Sequence, residues 1–236
     1  MKVNQMARIR IIKESPRNSE AEYNAALQSV EPIKLLKPGI DTRSSVLKAL
    51  KERRTTRDIS DKKVGLRLLS DLLWAACGVN RKKGPFGLPG RTAATASNSQ
   101  EIDVFVCFQE GAYSYDALSH RLMPVVAIDL RPLAIGQGQS DFGRKAPVRL
   151  VYVADVLKLF NTAGYQEPGL LDPEIQKSYY FVDTGLIAAN VYLFAASHGL
   201  AAWFHNCNKQ ALKEKLKLRV DQRVLFGQTI GYPVKK

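Results

Sequence analysis

The segment from Phe181 to Phe204 constrains this chain more than any other. It is strongly apolar and long enough to cross a bilayer. It also contains Asp183, Asn190 and His198, and Gly199 ends its helical part. A carboxylate is costly in hydrocarbon. The segment therefore reads as a helix from about Ser178 to His198, buried on most sides in a protein core, followed by a strand over Leu200 to Phe204. No membrane association is expected. A helix hidden that thoroughly needs a large core around it. A chain of 236 residues removes roughly 70% of its extended surface from water on folding, enough to build one without metals or crosslinks.

Cys77, Cys107 and Cys207 are odd in number and widely spaced, with no C-x-x-C pair. They read as reduced, buried thiols in a reducing compartment rather than a zinc or dithiol site. No secretory signal is visible in Met1 to Lys13, and a cytoplasmic location is expected. The formal net charge of +13 attracts anions in general. Nucleic-acid binding needs more, such as aromatics interleaved with basic residues or a reader motif, and neither is present. A basic nucleic-acid-binding module is the reading from another class that the charge alone leaves standing. The basic segment Lys209 to Arg223 looks like an amphipathic helix, with Leu212, Leu216 and Leu218 inward and Lys213, Lys215 and Lys217 largely outward, its helical part running from Lys209 to Leu216.

Along the chain, residues 1–40 read as an N-terminal extension with little periodicity, wrapping the surface or a partner. Ser15-Pro16-Arg17-Asn18-Ser19 is turn chemistry and Lys37-Pro38-Gly39 a second break. Asp41 or Thr42 is expected to cap a helix through Val46, Leu47 and Leu50 to about Arg53. Leu66, Leu69, Leu72, Leu73 and Ala76 form a second helix, closed by Gly78. Asn80 to Ser99 is a long loop. Ile102 to Phe108 is a strand, and Tyr113 to Tyr115 and His120 to Val125 form a hairpin. Ala127 to Gly143 reads as helix and loop. Pro147 to Ala154 is the clearest buried strand, Phe160 to Glu174 a loop, and Arg223 to Gly231 the last strand. This order indicates an α+β or α/β fold on a mixed sheet, with one domain over residues 41–236.

Several catalytic signatures are missing. There is no phosphate-binding P-loop, no Rossmann fingerprint around Gly136-Gln137-Gly138, no G-x-S-x-G elbow and no H-E-x-x-H. Two weaker features are present. Arg53, Arg54 and Arg57 crowd a helix end with Thr55 and Thr56 between them. Guanidinium forks match phosphate oxygens, and a phosphate monoester would relieve their mutual repulsion; a solvated charged corner would look the same. The run Ala94-Thr95-Ala96-Ser97-Asn98-Ser99-Gln100 brings small residues, which let backbone approach a flat ligand, together with amides that can pair with its edge.

Glu52-Arg53-Arg54-Thr55-Thr56-Arg57, the Leu-rich helix after it, Ala94 to Gln100, Ala188-Ala189-Asn190 through Gly199-Leu200, and Leu225 to Gly231-Tyr232-Pro233 together resemble the nitroreductase family of FMN-dependent oxidoreductases. The resemblance covers about Val46 to Pro233. It implies an α+β fold, a mixed sheet flanked by helices, built as an intertwined homodimer with FMN at the interface. On the family pattern Arg53, Arg54, Thr55 and Arg57 would hold the phosphate, ribityl chain and pyrimidine edge. Ala94, Thr95, Ala96, Asn98 and Gln100 would come from the partner chain. Phe204-His205-Asn206 matches the place where a backbone amide approaches flavin N5. The long helix would be buried in the dimer core. The sequence departs from the pattern in Ala94-Thr95-Ala96, where Pro-Ser-Ser is usual, and in Glu101, where proline is usual. Other members continue past Gly-Tyr-Pro with basic residues that help hold phosphate, and Lys235 and Lys236 are the candidates to substitute for them here.

The implied activity is transfer of hydride from NAD(P)H through flavin N5 to a small electron-poor acceptor such as a nitroaromatic or quinone. The cofactor performs the difficult step. Arg54 or Arg57 is the candidate to stabilise reduced, anionic flavin. His205 is a candidate donor near the substrate or a packing residue. A flavin dehydrogenase resembling peptide-azoline oxidases is the enzymatic alternative.

Overall fold

The computed structural model describes residues 16–39, 46–136, 138, 139, 143, 145–162 and 172–234. Asp41 and Thr42, expected to cap a helix, and Lys235 and Lys236, candidates for phosphate contact, lie outside the described residues, as do residues 1–15 and 163–171.

The elements in order are α1 (Pro16–Ser29), β1 (Ile33–Lys34), α2 (Val46–Glu52), α3 (Leu66–Cys77), β2 (Val79–Arg81), β3 (Gly90–Arg91), β4 (Ile102–Cys107), β5 (Ala112–Asp116), β6 (Arg121–Val126), β7 (Val148–Asp155), α4 (Val156–Phe160), α5 (Pro173–Ser197), β8 (Ala201–His205), α6 (Lys209–Lys215) and β9 (Gln222–Gly231). Seven strands form one sheet in the order β1-β6-β5-β4-β7-β9-β8. The architecture is α+β, as the sequence indicates.

Every pairing in this sheet is antiparallel, where a mixed sheet is the sequence expectation. The helical crossover through α5 does connect two strands of the same direction, β7 and β8. However, β9 lies between them and runs opposite to both, with Val151 facing Gly227 and Gly227 facing His205.

All eight residues of β7 are buried, which suits Val148, Val151, Tyr152 and Val153; the two buried charges are held by partners, Arg149 by the Arg131 and Gly143 carbonyls and Asp155 by Arg219. Side chains alternate between faces. Val104, Val106, Leu150 and Tyr152 pack with Leu69, Leu72, Leu73 and Ala76 of α3 and Ile187, Val191 and Ala195 of α5. Phe105, Cys107, Val151 and Val153 pack on the other side with Leu130, Ala134, Leu212 and Leu216. The three cysteines are buried and free. Gly78 follows α3 as expected and donates its N–H to Trp74 O, with an extended rather than left-handed backbone.

Three expectations are corrected. Pro16 to Ser19 open helix α1 rather than a turn; proline is favoured in a first helical turn, where its missing N–H has no partner to lose. Tyr23, Leu27, Ile33 and Leu35 from this region are buried in the main core, and β1 extends the sheet by pairing Ile33 with Leu122. The described residues between Ala127 and Gly143 are turns and bends, not helix. Finally, α5 is not hidden on most sides of the single chain. Only 39% of its most apolar window is buried, and Phe181, Val182 and Leu186 are exposed. Within the long loop after α3, β2 and β3 pair as a short antiparallel arm.

Candidate functional site

The arginine corner is made where α2 gives way to extended chain. Arg53 N still donates to Ala49 O at 2.9 Å, closing the helix. Thr56 N then donates to Ala202 O at 3.0 Å, Ser60 N to Tyr232 O at 2.8 Å, and Val234 N to Asp58 O at 3.0 Å. The segment is thereby stitched between edge strand β8 and the residues after β9. Gly199, at φ 65°, ends α5 and turns the chain into β8. Together these elements wall a cleft of about 960 Å³ that Arg53, Arg54, Thr55 and Arg57 all line.

Aromatic groups hold the corner in place. The Arg53 guanidinium lies 5.6 Å from the Tyr192 ring centre and that of Arg57 lies 5.4 Å from the Trp203 ring, distances at which cation–π attraction operates. The Tyr192 hydroxyl lies 3.1 Å from Thr55 Oγ1 and accepts the Phe204 N–H at 2.8 Å. Among the described residues no carboxylate ion-pairs with Arg53, Arg54 or Arg57, although Glu52 and Asp58 line the same cleft. Three arginines without a paired anion form a donor set that fits a phosphate monoester.

The loop from Ala94 to Gln100 stands elsewhere on the chain. Ser97, Asn98 and Gln100 adopt left-handed backbone, with φ 48°, 56° and 52°. The Asn98 amide donates to Pro85 O (3.1 Å) and the Gln100 amide to Pro89 O (2.7 Å) and Asn98 Oδ1 (2.9 Å). Arg91 Nε donates to Gln100 Oε1 at 2.6 Å. These amides therefore brace the loop and the β2–β3 arm instead of standing free for the edge of a ring. Thr95 Oγ1 accepts from Gln100 N. Ala94 is exposed and Ala96 half-buried, so small side chains and backbone form the accessible part of this loop.

The third piece is at the end of β8. His205 is only 5% exposed. Its ring meets Trp203 edge-on at 4.6 Å, so packed rings run from Arg57 through Trp203 to His205. Nδ1 lies 2.8 Å from the Asn206 carbonyl and Nε2 2.7 Å from Thr229 Oγ1. A carbonyl only accepts, so Nδ1 carries the proton and Nε2 accepts from the Thr229 hydroxyl. Burial pushes the His205 pKa down to about 4. Both nitrogens are engaged and the ring is covered, so neither nitrogen stands free toward a cleft. Asn206 is exposed and opens a second cleft of about 610 Å³ with Gly136, Gln139, Cys207, Asn208 and Lys209.

Within one chain, Arg53, Arg54, Thr55 and Arg57 converge, and His205 and Asn206 follow them along β8. Ala94, Thr95, Ala96, Asn98 and Gln100 line neither cleft. Tyr192 and Trp203 are parts of the corner that sequence reasoning does not find: Tyr192 sits in a helix legible only as apolar core, and Trp203 in a strand whose alternation says which face it takes but not what lies there.

A family model described as "Nitroreductase family" matches residues 50–232. A protein of Methanocaldococcus jannaschii that carries a nitroreductase name is 27% identical over 176 residues, covering 70% of this chain and 82% of its own length. A crystal structure from Ralstonia eutropha JMP134, also bearing a nitroreductase name, is 30% identical with TM-score 0.74, covering 87% of this chain and 91% of that one. A chain of the Escherichia coli microcin synthetase McbBCD complex, solved with truncated pro-MccB17, shares the fold at 20% identity and TM-score 0.62, covering 90% and 82%.

Proposed function

The chain belongs to the nitroreductase family of oxidoreductases, and from that membership we propose that it is a homodimeric FMN-dependent NAD(P)H oxidoreductase acting on small electron-poor acceptors such as nitroaromatics or quinones. The observation that carries this reading is the corner where Arg53, Arg54 and Arg57 face one cleft without an ion-paired carboxylate among the described residues.

In this reading Arg53, Arg54 and Thr55 grip the phosphate and ribityl chain. Arg57, backed by Trp203, sets positive charge beside the pyrimidine edge. FMN, when bound, supplies the hydride-accepting and hydride-donating chemistry. The chain needs no acid–base pair of its own. His205 contributes indirectly: its Nδ1–H fixes the Asn206 carbonyl and so the turn that leaves β8.

The loop over Ala94, Thr95, Ala96, Asn98 and Gln100 completes the site from a second copy of the chain. Support comes from α5. Val182, Gly185, Leu186 and Ala189 are exposed at helical spacing, an apolar stripe of the kind that self-association covers. Dimerisation along it would finish the burial that the sequence expectation assigned to this helix.

The test is an absorbance scan of purified protein, followed by anaerobic addition of NADH or NADPH. A flavin spectrum bleached by either nicotinamide is expected. A flavin spectrum that neither bleaches would favour a dehydrogenase running in the oxidising direction. Protein that stays colourless after incubation with FMN would overturn the proposal.

A further inference from the structure

Three residues in left-handed backbone within four positions, Ser97, Asn98 and Gln100, need surroundings that hold them there. Two carboxyl groups supply the tethers. Asp183 of α5 accepts the Ala96 N–H on Oδ2 at 3.0 Å. Glu101 accepts the Ser99 hydroxyl on Oε2 at 2.6 Å. Glu101 is fully buried and Asp183 is 3% exposed. The two carboxyls lie within hydrogen-bonding reach of each other, while Glu101 Oε1 has no donor.

No cation neutralises the pair among the described residues. Arg91 of β3 is committed to Gln100 Oε1 and Cys77 O. Lys158 of α4 pairs with Asp103 of β4 at 2.5 Å. On β7, Asp155 donates its N–H to Glu101 O, and its carboxylate is taken by Arg219. Thr184, next to Asp183 on α5, gives its hydroxyl to Tyr180 O. Two ionised carboxylates in contact and out of water repel each other without compensation. A proton between them supplies the donor that Glu101 Oε1 lacks.

We propose that Glu101 and Asp183 share one proton and that this acid–carboxylate pair is the latch that holds the 95–100 loop against α5, making both of them positioning residues for the cofactor. The role in cofactor binding rests on the function proposed above; the latch itself does not. Glu101 stands where the family pattern has proline, a residue able to provide neither the carboxyl nor the shared proton. Burial and the Asp183 charge both raise the Glu101 pKa, and burial raises that of Asp183. The latched loop therefore binds a proton that a released loop gives up at neutral pH. Rising pH favours release.

Glu101→Gln tests this in the full-length protein. The glutamine carbonyl can accept from Ser99 and its amide can donate to Asp183, so it mimics the protonated acid at every pH. Asp183→Asn does the same from the other side, donating to Glu101 and accepting from Ala96 N. On flavin-free protein near neutral pH, infrared spectroscopy is expected to show a protonated-carboxyl band that alkali removes and that both variants lack. At one alkaline pH, amide exchange of residues 95–100 is expected to be faster in wild type than in either variant. FMN affinity of wild type is expected to fall by about tenfold or more between neutral and alkaline pH, while both variants hold it steady. Absence of the band, or equal loop exchange in wild type and variants, would overturn the latch. Protein with the band and the exchange difference that binds FMN at no pH would keep the latch and sink the cofactor reading.

Discussion

The Tyr192 hydroxyl bridges Thr55 Oγ1 and the Phe204 N–H, at 3.1 and 2.8 Å. One oxygen on α5 thus ties the chain after α2 to the edge strand β8, and the arginine corner sits on that tie. Tyr192→Phe keeps the ring under Arg53 and removes the bridge. Loss of about 1 kcal/mol of hydrogen bonding corresponds to roughly a fivefold weaker FMN complex. Fluorescence titration of FMN into purified variant and wild type checks it; equal affinities would show that the bridge is not needed to shape the corner.

Arg53→Ala removes one of three guanidiniums that face the cleft without an ion-paired carboxylate. Charge-assisted hydrogen bonds to a phosphate are worth about 2 kcal/mol, so FMN should bind about thirtyfold more weakly. Far-ultraviolet circular dichroism should be unchanged, because the side chain is exposed. Flavin retained at wild-type occupancy after desalting would count against Arg53 as a phosphate ligand.

Val182 is 61% exposed and Leu186 41% exposed, one turn apart on α5. Placing Glu at both positions sets two charges in the face proposed to join the copies. Sedimentation velocity should report a dimer for wild type and a monomer for the double variant, with flavin lost alongside the partner loop. A wild-type monomer carrying flavin would defeat the shared-site arrangement.

His205 titrates near 4 in the folded protein because it is buried, against an ordinary value near 6.5. Between those values the unfolded chain binds the extra proton. Stability contributed by neutral His205 is therefore complete above about pH 6.5 and disappears as pH falls toward 4, about 3 kcal/mol in all. His205→Gln should flatten this acid limb. The comparison is made as wild type minus variant in urea denaturation, because the raised carboxyl of Glu101 gives a slope of opposite sign: its stability is present at low pH and is lost as pH rises from about 4.5 toward about 8. An unchanged difference across the window would place the acid sensitivity elsewhere.

Elements with a strong local period were legible in the sequence. The β-branched run at β7, the Leu spacing of α3, the hairpin around Asp116 and the apolar length of α5 all name their own structure. Helix α1 was not legible, because its two buried anchors, Tyr23 and Leu27, are diluted among polar residues that read as a turn and a tail. Sheet direction was hidden as well, since nothing in the sequence of β9 says that it enters between β7 and β8. At the site, the grouping of Arg53, Arg54 and Arg57 was visible because they are neighbours in sequence. The engagement of Asn98 and Gln100 with proline carbonyls depends on how the β2–β3 arm folds back. The meeting of Glu101 with Asp183 joins a loop to a distant helix, and no local pattern encodes it.

The placement of β9 also bears on the order in which the molecule can be made. A ribosome releases the chain from its N-terminal side, so β8 emerges before the strand that is to lie beside it. Until β9 follows, β8 has an open edge toward β7, and an open edge invites pairing with other chains. Thr56 meets Ala202 from outside the sheet, so the anion-gripping corner is built on a strand whose one partner in the sheet is β9.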